Sequence, residues 1–256
     1  DRDGTAREIA GEKLSKYGER VRIMPGNFSE MADLARDIQS LAGTRRIAGV
    51  LFDLGVSNMQ LTTPERGFSY QDDGPLDMRM DADSDARTAA DVIEGSDARE
   101  LARIFREYGE ERHAYRIARG VTDAKSRGET PTTTGQMSAL IRRSLPAPVQ
   151  RKMGGHPARR VFQALRIAVN SELESLQKGL IGAYRITSDK GAIVAISYHS
   201  LEDRIVKHTF RDWARDGKGM TRQVRPILPS EEEALANRKS RSAKLRAFVV
   251  SKANEA

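Results

Sequence analysis

Two short stretches carry side chains whose types and spacing could do chemistry. The first is Gly49-Val50-Leu51-Phe52-Asp53-Leu54-Gly55-Val56-Ser57. An apolar run leads straight into an acid, then a glycine and a small polar residue. Such a run reads as a strand buried on both faces, the kind found inside parallel sheets. Asp53 falls where that strand should end. In open α/β sheets, ligands sit in the crevice beyond the carboxyl ends of the strands. A carboxylate there can face a ligand's polar groups, and Gly55 lets the backbone turn close to it. The plainer reading is a strand ending in a turn, with Asp53 capping the next helix. The second stretch is Ser197-Tyr198-His199-Ser200, directly after the apolar run Ile193-Val194-Ala195-Ile196. His199 then stands at a strand end and a helix mouth, and is a candidate for catalysis.

Other chemistries are excluded. The chain has four histidines and no cysteine. No His pair sits at i, i+4 with an acid, so a zinc-protease helix is absent. Asp81, Asp83 and Asp85 suggest a calcium loop. Ala86 stands where that loop needs Gly and Val92 where it needs Glu, so no metal is expected. The lack of cysteine rules out disulfides and a thiolate nucleophile and fits a cytosolic protein.

The elements around these stretches alternate. Thr5 to Tyr17 reads as a helix with Ile9 and Leu14 inward, and Val21 to Met24 as a short strand. Ser29 can cap a helix bearing Met31, Leu34, Ala35 and Ile38, and Ile47 to Leu54 is the next strand. Helix, strand, helix, strand is the pattern of a doubly wound α/β sheet. Residues 57 to 80 interrupt it with a long loop. Its Phe68, Tyr70, Leu76 and Met78 argue for order, and so for function.

Three helices follow without a strand. Leu101, Ile104, Phe105 and Tyr108 share one face; Ala114, Ile117, Ala118 and Val121 share the next. Thr133 with Gln136 forms a capping box before Met137, Leu140 and Ile141. An all-helical subdomain inserted at 81–155 is expected, between core segments 1–80 and 156–256. Phe162, Leu165, Val169, Leu173, Leu176 and Leu180 then predict one long amphipathic helix. Ala192 to Tyr198 is a buried strand, Ser200 with Asp203 a capping box, and Leu245 to Val250 a final strand. Residues 214 to 244 are polar with little periodicity.

The 256 residues are 38% hydrophobic and 31% charged, as in a globular protein with a busy surface, and carry a net charge of +7. No apolar run approaches a membrane span and no signal peptide is visible, so a cytoplasmic protein without membrane attachment is expected. The chain opens without a Met, which places its true start upstream. A basic balance favours a polyanionic partner. Gly135 to Asn170 contains Arg142, Arg143, Arg151, Lys152, Arg159, Arg160 and Arg166 and no acid. Leu235 to Ala253 contains Arg238, Lys239, Arg241, Lys244, Arg246 and Lys252, again with no acid. Charge runs are usually solvated faces. Two of them flanking a crevice fit contacts to a phosphate backbone.

Taken together, these stretches carry a family resemblance. They are Leu51 to Ser57, Glu65-Arg66-Gly67-Phe68-Ser69, Asp73-Gly74-Pro75-Leu76-Asp77-Met78-Arg79-Met80, Tyr108-Gly109-Glu110-Glu111-Arg112, and His156-Pro157-Ala158. Arg160 to Arg166, Asn170-Ser171-Glu172-Leu173, His199-Ser200-Leu201-Glu202-Asp203-Arg204 and Arg241 to Arg246 complete the set. In this order and over nearly the whole chain, the sequence resembles the bacterial ribosomal RNA small-subunit methyltransferase H family (RsmH, also called MraW).

The resemblance implies methylation of the exocyclic N4 of a cytidine at the decoding centre of 16S rRNA, with S-adenosylmethionine as donor. It implies a seven-stranded, Rossmann-like methyltransferase sheet with the helical insert. By the same resemblance Asp1, Phe28, Asp53 and Gln60 contact the cofactor. Arg142, Arg143, Arg151, Lys152, Arg159, Arg160, Arg241 and Lys244 are the RNA-binding candidates, and a homodimer is left open. The family's glycine-rich cofactor loop has no counterpart here. The chain is therefore expected to be an N-terminally truncated copy without the first two strands. Those strands should lie between Val21–Met24 and Val50–Asp53, so the fragment alone is expected to be unstable and to bind the cofactor weakly.

In such a reaction the amine attacks a sulfonium methyl in line, and the protein supplies alignment and electrostatics. Asp53 or nearby backbone carbonyls are the expected acceptors around the amino group, which must be reached by unstacking the base. A non-enzymatic RNA-binding or ribosome-assembly factor, and a nucleotide-cofactor oxidoreductase on a similar fold, remain as alternatives.

Overall fold

The structure is a computed structural model and describes residues 1–43 and 46–252. The chain is α/β and divides into two compact units. One comprises Asp1, Gly26–Gly55 and Leu173–Ala256; the other comprises Arg2–Pro25 and Val56–Glu172. Residues 81–155, expected as an insert, all fall in the second unit, which also takes in 2–25, 56–80 and 156–172.

The first unit is built on a four-stranded sheet. Its strands are β1 (Gly49–Asp53), β2 (Ala192–Ser197), β3 (Gly219–Thr221) and β4 (Lys244–Val250), in the order β1-β2-β4-β3. β1 runs parallel to β2, from Gly49 opposite Ala192 to Asp53 opposite Ile196. β4 is antiparallel to both β2 and β3. Gly49 is needed for this register, because a Cβ there would come within 2.6 Å of the Ala192 carbonyl oxygen. Alternate residues Ile193, Ala195 and Ser197 of β2 are buried, as the two-residue period of a strand requires.

Phe52, Ile193, Phe248 and Val250 from the sheet meet Leu176, Leu180 and Ala183 of the helix Glu172–Ile186. Val206, Phe210 and Trp213 of the helix Ser200–Arg215 join the same core. The rings of Phe210 and Trp213 each stand 5.4 Å from that of Phe248. Each buried Val, Leu, Ile or Phe side chain here contributes about 1.5–3 kcal/mol through removal from water.

The second unit is helical. Its core draws on Leu101, Ile104 and Phe105 (helix Ala98–Glu107), Ile117 and Val121 (Ala114–Ser126), Met137 and Ile141 (Thr134–Ser144), and Phe162 and Leu165 (Arg159–Asn170). These are the faces the apolar spacing marks. The Thr133 hydroxyl and the Gln136 side chain form the expected capping box. The long loop is ordered: Phe68, Leu76 and Met78 are buried in this same core.

Several local expectations fail, each for a physical reason. Val21–Met24 is not a strand among the described residues; no neighbour offers it a ladder. β1 is not buried on both faces. It is an edge strand of the described sheet, and Leu51 is 64% exposed. The helix Gly4–Leu14 buries none of its residues, Ile9 included. Asn27, not Ser29, forms the cap near Phe28, through a capping box with Glu30. The long helix predicted through Phe162 and Leu180 breaks at Ser171, whose φ of 49° is left-handed. β3, within the polar segment, has no periodicity because it is only three residues long.

Candidate active site

β1 and β2 run parallel and end side by side, which brings Asp53 and Tyr198 together. Asp53 closes β1 with an exposed carboxylate. Tyr198 follows β2, two residues beyond Ile196, the partner of Asp53. Its hydroxyl donates to Asp53 Oδ1 at 2.9 Å. Burial, then the bond to Asp53, pushes the Tyr198 hydroxyl up to about 12, so it stays a donor at neutral pH.

Phe28 packs against the residue before Asp53. Its ring meets the Phe52 ring edge-on, with centroids 5.6 Å apart. The ring also lies against Gly179, where a Cβ would approach Phe28 Cδ2 to 2.6 Å. The ring is still 38% exposed, so it has surface to offer a flat ligand. Asp1 is exposed.

His199 is used differently from its expected part. It, and not Ser200, is the N-cap of the helix Ser200–Arg215. Its Nδ1 accepts from the Glu202 backbone N–H at 3.4 Å, and Glu202 Oε2 accepts from the N–H groups of Tyr198 (2.9 Å) and His199 (3.3 Å). His199 Nε2 is buried 3.2 Å from Glu202 Oε1. A neutral imidazole offers a single accepting nitrogen, and here the backbone takes it. The capping box thus lies one residue earlier than Ser200 and Asp203 suggest. Asp203 instead receives Arg246 Nε at 2.7 Å and Lys244 Nζ at 3.3 Å.

In the second unit Gln60 is buried and both ends of its amide are engaged. Oε1 accepts from the Ser57 N–H at 3.0 Å, and Nε2 donates to Asp3 Oδ2 at 2.8 Å. Asp3, only 3% exposed, also receives Arg66 Nη1 at 3.0 Å. Burial works against its charge, but the bonds from Gln60 and Arg66 outweigh it and hold the carboxyl below its ordinary range. Arg66 Nη2 further donates to the carbonyls of Arg79 (3.0 Å) and Met80 (2.8 Å), fastening the long loop.

The basic residues of the second unit are surface groups: Arg142, Arg143, Arg151, Lys152, Arg159 and Arg160 are all exposed. Arg142 Nη2 lies 2.6 Å from His156 Nε2, and Arg160 Nη1 donates to the Glu110 carbonyl at 3.2 Å. The His156 ring stacks on Tyr70 with centroids 4.6 Å apart. Burial, and then Arg142, keeps its basicity below the usual histidine value. Arg166 is not available in this way, since it pairs with Glu172 at 2.8 Å. In the first unit Arg241 is exposed, while Lys244 shares Asp203 with Arg246. Tyr198, Asp3 and Arg66 had no role assigned from the sequence. Only the position of Tyr198, at a strand end facing another, could have signalled one.

A sequence profile of the MraW methylase family matches residues 1–251. The chain belongs to the MraW methylase family. It is therefore a methyltransferase by family, and the α/β architecture agrees. Among similar curated proteins, ribosomal RNA small subunit methyltransferase H of Symbiobacterium thermophilum is 44% identical over 270 residues, covering all of this chain and 83% of that protein. The protein of the same name from Pelobacter propionicus is 46% identical over 263 residues, covering 96% of this chain and 82% of its own length. Ribosomal RNA small subunit methyltransferase H 2 of Agathobacter rectalis is 40% identical, with 97% and 82% covered. None of the helices described in this MraW methylase is long and apolar enough to cross a membrane.

Proposed function

We propose that this MraW-family chain transfers a methyl group from S-adenosylmethionine to the exocyclic N4 of a cytidine in 16S rRNA of the small ribosomal subunit, at the decoding centre. The relatives' names support the substrate class. The observation that carries the site is the exposed Asp53 carboxylate at the end of β1, with Tyr198 bonded to one of its oxygens.

S-adenosylmethionine, when bound, supplies an electrophilic methyl on a sulfonium. The exposed ring of Phe28 suits an adenine face, and Asp1 suits ribose hydroxyls. Asp53 accepts a hydrogen bond from the target amino group. That contact draws the nitrogen lone pair out of the ring and offsets the positive charge that develops on nitrogen. His199 holds the turn that presents Tyr198 and gives no free lone pair to the amine. Gln60 is committed to the fold of its own unit. The exposed arginines and lysines at 142, 143, 151, 152, 159, 160 and 241 contact the RNA backbone and set its position without reading its sequence.

Asp53→Ala tests the assignment. Methyl incorporation into small-subunit RNA should fall by about 100-fold or more, while melting stays near wild type. Calorimetry with S-adenosylhomocysteine and with NAD runs alongside. Binding of the first and not the second is expected. Wild-type turnover by Asp53→Ala would remove Asp53 from the site, and NAD binding alone would favour an oxidoreductase.

A further inference from the structure

The Tyr198–Asp53 bond has a use that neither residue shows alone. Asp53 is exposed at a strand end, where a short carboxylate side chain would otherwise sample several rotamers. Tyr198 is not free in the same way. Its backbone N–H is tied to Glu202 Oε2 at 2.9 Å, and Glu202 is only 3% exposed. The helix cap thus sets the position of Tyr198, and the hydroxyl at 2.9 Å sets the position of Asp53 Oδ1. Among the described residues no hydrogen bond reaches Asp53 Oδ2.

We infer that Tyr198 is a positioning residue for methyl transfer: it occupies Oδ1 of Asp53 so that Oδ2 is held toward the amino group to be methylated. This rests on the acceptor role proposed for Asp53. A carboxylate has lone pairs for both partners at once, so the tyrosine bond does not compete with the amine. It fixes geometry before the substrate arrives, which lowers the reorganisation needed in the transition state. A phenylalanine would keep the ring and lose only the donor.

Tyr198→Phe separates this from a structural role. The kcat for methylation of small-subunit RNA should fall on the order of tenfold, the weight of one hydrogen bond to a charged group. The S-adenosylhomocysteine Kd, the KM for RNA and the melting temperature should stay at wild-type values. An unchanged kcat would overturn the inference, and so would a loss matched by weaker cofactor binding or a lower melting temperature. Asp53→Asn, measured in parallel, tells the two levels apart. Wild-type turnover there removes the acceptor itself, whereas loss of turnover there with an unaffected Tyr198→Phe removes only the role of the tyrosine.

Discussion

Arg246 on β4 donates from Nε to Asp203 Oδ1 at 2.7 Å, which ties the first turn of the helix Ser200–Arg215 to the sheet. Lys244 adds a second cation at 3.3 Å. Burial by itself would favour the protonated acid. The bond and charge of Arg246, then those of Lys244, outweigh it and hold Asp203 below its ordinary range. A carboxyl lowered in the folded state stabilises the fold above its unfolded pKa of about 3.9, and that stabilisation is lost as pH falls through the lowered value. Asp203→Asn should therefore unfold about 1–3 kcal/mol more easily at neutral pH. The gap to wild type should close in strong acid. Denaturant titrations across that pH range check this, and a gap independent of pH would contradict it.

Gly67 turns the loop at φ 71°, a left-handed conformation, with the space a side chain would need taken by the Pro75 carbonyl. A Cβ there would overlap that oxygen and come within 2.8 Å of the Asp77 nitrogen. Gly67→Ala should cost about 2–4 kcal/mol from backbone strain and overpacking together. Urea unfolding reads the cost directly. A variant as stable as wild type would mean that the loop relaxes around the added methyl.

The exposed basic stretch gives a prediction about salt. Replacing Arg142, Arg143, Arg151 and Lys152 with Gln removes four exposed cations from the helical unit. If they meet phosphates, the slope of log K against log salt should shrink by about 3, near the value for four contacts to single-stranded RNA. S-adenosylhomocysteine affinity should not move. Filter binding at several salt concentrations measures the slope, and an unaltered one would leave this stretch a solvated face.

The helical unit was legible because its signals are local. Ile117, Val121, Met137 and Ile141 repeat at helical spacing, and the capping box of Thr133 and Gln136 lies within four residues. β2 and β4 were legible as apolar runs for the same reason. Val21–Met24 shows the limit: four residues with strand-like composition form no strand without a neighbour to pair with. The cap at His199 was misplaced by one residue because Ser200 has the better intrinsic propensity. The buried Glu202 carboxylate, held by two backbone N–H groups, decided otherwise.

By itself the sequence determined the α/β class, the family, the helical faces and Asp53 as the acid at a strand end. These follow from residue types in order along the chain, where periodicity and motif spacing are visible. Only the tertiary structure decided that Tyr198 meets Asp53 across 145 positions of chain, that Asp3 buries its charge against Gln60 and Arg66, and that Lys244 is tied to Asp203. Hydrogen bonds of 3 Å between distant residues depend on strand register and helix placement, and no local pattern encodes them.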